Sequence, residues 1–287
     1  MGINIQTNVP SLNAQRNLNA TTDRLRLAYA RLSSGLRITR AADDAAGLSI
    51  AEQLRADSRI AAVGVRNAND GISAIAITDG AMNEIGNILS RLAELAEQSA
   101  NGVYSTTQRS ALSLEFNALS SEIERIALTT KFNGLDLLSG GATINFQVGF
   151  DGSSLSQIAF SGVAATLASL GLAANGSSAL VYSINDSTVA GAELSARSAL
   201  DAIKAAISSV TTSRGRLGAA EARLTSAINN LLVARENFQA AESRIRDVDV
   251  ADESAELTRL NILQQAGAAI LAQANQQPAL ALQLLQG

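Results

Sequence analysis

The 287-residue chain has no cysteine, no histidine and no tryptophan, only two prolines (Pro10 and Pro278), and just 3% aromatic residues. Without cysteine or histidine there is no Cys/His zinc site, no haem ligation by histidine and no thiol or imidazole catalysis, which leaves carboxylate or lysine chemistry as the only route to an enzyme. No nucleophile elbow is present, and Gly140, Gly141 and Gly149 do not stand at phosphate-loop or dinucleotide spacing, so no cofactor is indicated. A block of Lys or Arg is also missing. The 22 basic and 26 acidic residues are interspersed and sum to -4, which argues against a nucleic-acid partner. Charges interrupt every hydrophobic run well before the ~18 residues that a membrane span needs. The first residues, MGINIQTNVPSLNAQRNL, lack the basic and apolar regions of a cleaved secretory signal.

What remains is 47% hydrophobic and dominated by Ala, Leu and Ile. Few prolines and few aromatics favour long helices packed closely through small side chains, a mainly α fold of rods. The periodicity agrees. Leu54, Ala61, Ala68, Ile75, Met82, Leu89 and Ala96 recur every seven residues, with Val65, Ile72 and Ala93 in a companion register that lapses at Ser58, Asp79 and Gly86. Together they predict about 55 residues of helix, roughly 80 Å at 1.5 Å per residue. Gly64, Gly71, Gly80 and Gly86 each cost such a helix up to ~1 kcal/mol, which marks close approach of another backbone or a bend.

SANGVYSTTQRS, from Ser99 to Ser110, breaks this pattern and offers caps for a second heptad helix through Leu112, Phe116, Leu119, Ile123 and Ile126, folded back on the first. Beyond Gly140 the period changes to two. TINFQVGF and SQIAF, separated by a turn at DGSS, predict a β-hairpin, with a weaker third strand at Leu180–Ile184, so that the β region spans about 142–185. A second rod repeats the seven-residue spacing at Ile203, Val210, Leu217, Leu224, Leu231, Phe238 and Ile245. Arg214, Glu221, Arg235 and Glu242 occupy its other seam position, which is either solvated or ion-paired between copies.

Both chain ends carry apolar stripes. Leu18, Leu25, Tyr29, Leu32 and Leu36 precede the first rod, and Leu260, Leu263, Gly267, Ile270 and Ala274 follow the second. Antiparallel rods return the chain to its start, so the end helices pair. The expected organisation is an inner unit of 1–42 plus 246–287 and an outer rod unit of 43–245. Ile262 and Leu271 extend the last stripe beyond one seam, which calls for further partners, most economically copies of the same chain. Gly35 and Gly47 flank the joint, Asp43 and Asp44 cap the first rod, and Pro278 kinks or restarts the last helix.

LSSGLRITRAADDAAGLSIAEQLRA (32–56), RNANDGISAIAITDGAMNEI (66–85), FNGLDLLSG (132–140) and ILQQAGAAILAQANQQP (262–278) resemble the terminal signatures of bacterial flagellin, the flagellar filament subunit. The resemblance covers about 1–160 and 190–287 and implies a short form, with some thirty residues where many flagellins insert a variable outer domain. It implies a motility filament assembled outside the cell, end helices that order only on assembly, and export as an unfolded chain by the flagellar type III route. Its implied partners are other copies, an export chaperone, and filament-cap and hook-junction proteins, with no cofactor and no enzymatic activity. SRLAELAEQSANG is similar to the segment recognised by an animal Toll-like receptor. By that likeness Arg91, Leu95, Gln98 and Glu115 form a recognition patch, from which Ala93 and Glu97 depart. Competing readings are an enzyme, a hook–filament junction protein, and a secreted effector or adhesin with a coiled-coil stalk. NGSSAL, INDSTV and SSVTTS are candidate glycosylation stretches.

Overall fold

A computed structural model describes residues 7–140, 143–160, 162–175 and 177–286, with side chains through Gln277. Five helices dominate: α1 (Val9–Ser34), α2 (Ala45–Ala100), α3 (Thr106–Thr129), α4 (Val189–Arg246) and α5 (Val250–Gln286). Two small antiparallel hairpins lie between α3 and α4, formed by β1 (Lys131–Phe132) with β2 (Leu135–Asp136) and by β3 (Ile144–Gln147) with β4 (Gln157–Phe160). The chain divides into two units, 1–58 with 236–287, and 59–235. The dividing points fall inside α2 and α4, while the segment from Gly35 to Gly47 lies wholly within the first unit.

In the second unit, the heptads of α2 and α4 meet as an antiparallel seam. The contacts Gly64 to Leu231 and Gly71 to Leu224, and the ion pair of Asp79 with Arg214, keep one register throughout. Ala61, Ala68, Ile75, Met82, Leu89 and Ala96 of α2 and Ile203, Val210, Leu217, Leu224 and Leu231 of α4 are all buried. The first two helical glycines have a clear physical use. A Cβ on Gly71 would stand 3.0 Å from Leu224 Cδ1 and 3.1 Å from the Phe146 ring, and one on Gly64 would stand 3.1 Å from Leu231 Cδ1. They let α4 and the β3 side of the hairpin press onto α2 together. Gly80 faces open space instead.

The hairpin pairs Ile144 with Phe160 and Phe146 with Ile158. The expected third strand is only an isolated bridge, Ala173 to Leu180. The described residues of 163–175 and 177–184 are irregular, with buried Leu167, Leu172 and Ile184 anchoring them individually, helped by the Glu124 carboxylate accepting from Leu167 N–H and the Ser99 hydroxyl donating to the Ile184 carbonyl. The Asn133–Gly134 pair, with φ of 48° and 80°, turns β1 into β2 as a two-residue hairpin.

The first unit is held by α1 against α5. Leu25, Ala28 and Leu260 make its own buried cluster, with Leu257 alongside. Two buried leucines contribute only about 3–6 kcal/mol in total, so this pair has far less core than the second unit. The helix does not restart at Pro278, since α5 continues to Gln286.

Candidate functional site

The α1–α5 pair is antiparallel along its length. Asn8 Nδ2 donates to the Ala274 carbonyl at 2.8 Å, the Ser11 hydroxyl donates to Asn275 Oδ1 at 2.7 Å, and a Cβ on Gly267 would rest 3.4 Å from Leu18 Cδ1. Leu25 and Ala28 meet Leu260, and Arg31 approaches Glu253 at 3.7 Å. On α5 the inward positions are Leu260, Gln264, Gly267, Leu271 and Ala274, the 4,3 spacing of a coiled-coil seam. Leu32 and Leu36 are half-buried at the joint end.

Leu263 and Ile270 lie one position off that seam and are 44% and 60% exposed; Ile262 is 61% exposed. With Ala266 they make a second apolar stripe at i, i+4, i+8 on the outer flank of α5. Val9, Leu12 and Tyr29 are similarly exposed on α1.

The joint residues have separate tasks. Gly35 ends α1 in the left-handed conformation. Its carbonyl accepts from Val248 N–H, Arg37 N–H donates to the Arg246 carbonyl at 2.6 Å, and the Arg37 guanidinium donates to the Ile245 carbonyl. The two connectors thus bind each other. Asp44 caps α2, accepting from Gly47 N–H at 2.8 Å, and its carboxylate occupies the space a Cβ on Gly47 would need. Asp43 is not a cap. It accepts from Thr39 N–H, the Thr39 hydroxyl and Arg40 N–H, all within 3.0 Å, and these bonds, the Arg40 amide foremost, hold its carboxyl below the ordinary range.

In the second unit, Arg91 bridges α2 and α3 by pairing with Glu115 at 2.9 Å, and it also holds Glu94 at 2.8 Å. Gln98 donates to the Tyr104 hydroxyl. These polar groups are exposed, whereas Leu95 is only 1% exposed and packs beneath them in the core. Of the four charged seam positions, Arg214 is paired within its own chain, with Nε 2.7 Å from Asp79 Oδ1, a second contact to Oδ2, and Nη1 on Asn83. Glu242 lies 4.0 Å from Arg246.

Sequence periodicity gives no hint of Arg109. Its guanidinium, fully buried, donates to the carbonyls of Asn101, Tyr104 and Val189 and approaches Glu193 at 3.6 Å, joining the α2–α3 connector to the start of α4. Only its position four residues after Ser105 distinguishes it, and Ser105 forms a capping box with Gln108. Among the described residues there is no metal-competent cluster, and no helix is long and apolar enough to cross a membrane.

A seam-filled pair of end helices with an outward apolar stripe and, in the same chain, a unit of long heptad rods define a structural subunit built to be joined by others. Residues 5–143 match the bacterial flagellin N-terminal helical region, and 200–285 match the C-terminal helical region. The chain is 45% identical to a flagellin of Halalkalibacterium halodurans, covering 98% of this chain and 99% of that protein, and 39% identical to a flagellin of Bacillus subtilis, covering 98% and 99%. A solved structure assigned to a flagellar hook-associated protein from Vibrio parahaemolyticus shares the fold, with a TM-score of 0.57 at 14% identity over 71% of this chain and all of that one. The chain belongs to the bacterial flagellin family. It is a structural, non-enzymatic subunit of the extracellular flagellar filament used for motility, in a short form.

Proposed function

We propose that this flagellin polymerises by burying the outer stripe of Ile262, Leu263, Ala266 and Ile270 between copies, with the exposed Val9, Leu12 and Tyr29 of α1 contributing to the same surface. The observation that carries the reading is that the stripe lies on a helix whose other face is already filled by α1. A head-to-tail contact of this kind does not close on itself and extends into an open helix of subunits. Because the end-helix pair has so little core of its own, it becomes fully ordered when neighbours cover it. The inner unit (1–42 with 246–287) serves assembly, and 43–245 forms the filament wall.

The same weakness suits export as an unfolded chain by the flagellar type III route, and the absence of cysteine means that no disulfide has to be reduced first. An export chaperone, the filament cap and hook-junction proteins complete the proposed partners. A further proposed role is recognition of the free monomer by a host Toll-like receptor at Arg91, Gln98 and Glu115, with Leu95 supporting the patch from below.

The test is electron microscopy of purified protein added to short filament seeds. The full chain grows long hollow filaments, and a chain lacking 1–40 and 250–287 keeps its helical wall unit but adds nothing. Filaments from the shortened chain overturn the assembly reading, and full-length protein that joins seed ends and stops is a junction component.

A further inference from the structure

Along α4, Ser209, Ser213, Arg216, Ala220 and Arg223 recur at three- and four-residue spacing and form one wall of a groove in the second unit, opposite the end of β4 and Val163. Arg216 and Arg223 are exposed and lie two turns apart, about 10 Å along the axis. Neither has a hydrogen-bond or ion-pair partner among the described residues, whereas Arg214 between them and the α4–α2 seam is engaged by Asp79 and Asn83. Two unpaired guanidinium groups on a floor of Leu217 and Ala219 form a receptive edge for carboxylates.

The chain carries the complement. Residues 247–256, DVDVADESAE, hold five carboxylates and no basic residue. Glu253 and Glu256 are engaged by Arg31 and Arg259. Asp247, Asp249 and Asp252 are exposed and have no cationic partner among the described residues, although Asp249 also caps α5 through the N–H groups of Ala251 and Asp252. Two extended residues followed by a helical turn spread these three carboxylates over about 10 Å as well.

We infer that the two arrays meet between copies, the Asp247/Asp249/Asp252 junction of one subunit seating on the Arg216/Arg223 groove of the next. The inference rests on the polymerisation proposed above and names a polar contact within it. The two patches differ, so the contact is head-to-tail and compatible with an open polymer. Charges at such a rim act chiefly on encounter rate and orientation.

The experiment follows seeded elongation of full-length chains at about 0.1 M salt, where the screening length is about 10 Å. R216E/R223E and D247R/D252R, which spare the Asp249 cap, each elongate roughly tenfold or more slowly than the wild type, within the range that steering supplies. The four substitutions combined restore the rate to within a few-fold, and the differences shrink near ~1 M salt. Helical circular dichroism verifies folding, and R216Q/R223Q, which removes the charges without reversing them, gives an intermediate rate. Wild-type rates from R216E/R223E or R216Q/R223Q overturn the inference, as does a combined variant no faster than either double one. In those cases the wild type still elongates and the polymerisation reading stands; a wild type that does not elongate overturns both.

Discussion

Arg214 of α4 grips Asp79 of α2 across the seam of the second unit, Nε to Oδ1 at 2.7 Å and Nη2 to Oδ2 at 3.2 Å. Each residue interrupts the apolar register of its own helix, and each is the reason the other is tolerated. The pair also raises the Arg214 pKa through the Asp79 hydrogen bond.

Both side chains are about 40% exposed, so the pair contributes little net stability. A double-mutant cycle with Asp79→Ala and Arg214→Ala in urea unfolding gives a coupling of ~1 kcal/mol or less. Joint replacement by leucine is neutral or stabilising, because the seam then continues as an apolar one. A coupling well above ~2 kcal/mol contradicts this account of the pair.

The glycines of α2 separate into two kinds. Gly71→Ala places a methyl against Leu224 and Phe146 at 3.0–3.2 Å and destabilises the monomer by about 1–3 kcal/mol, the usual cost of overpacking. Gly80→Ala meets nothing within 4 Å and stabilises it by about 0.5–1 kcal/mol through helix propensity. Thermal melts of the two variants moving in the same direction would contradict the packing described.

Asp43 makes the connector acid-sensitive. Its folded-state pKa is depressed, so its contribution is fully present above the ordinary carboxylate value near 4 and is lost as pH falls through the lowered one. Asp43→Asn therefore weakens protection of the Arg37 and Val248 amides at neutral pH and removes part of the acid dependence. Equal protection factors in wild type and variant at pH 7 would rule this out.

Arg91 joins α2 to α3 through Glu115 on the surface proposed for receptor recognition. Arg91→Asp places a third carboxylate beside Glu115 and Glu94 and lowers activation in a Toll-like receptor reporter assay by about tenfold or more, the scale of a 1.4 kcal/mol loss in binding. Unchanged signalling removes the patch from the recognition surface.

The seven-residue spacings of both rods, the Ile144/Phe146 hairpin and the pairing of the end stripes were legible because burial repeats faithfully along a helix or strand. Finer placement was less legible. The expected stripe Leu260/Leu263/Gly267/Ile270/Ala274 and the observed seam Leu260/Gln264/Gly267/Leu271/Ala274 both average 3.5 residues per step, so spacing alone does not separate them; which flank faces α1 is set by contacts such as Gly267 with Leu18. Leu95 looks like a surface residue between Arg91 and Gln98, yet it faces the core because α3 covers that side of α2. Arg109 could not be foreseen, because its carbonyl partners at Asn101 and Val189 come together only in three dimensions.

The bond between Asn8 and the Ala274 carbonyl spans 266 residues of chain. Contacts of such separation form late and slowly, because a very long loop must close before they contribute anything. During synthesis α1 therefore waits without its partner until nearly the whole chain has emerged, and any nascent or broken chain lacks the paired surface altogether. On the assembly proposed above, the end-to-end pairing would work as a completeness check: a partial molecule could not form the paired unit, and fragments would be kept out of the growing filament.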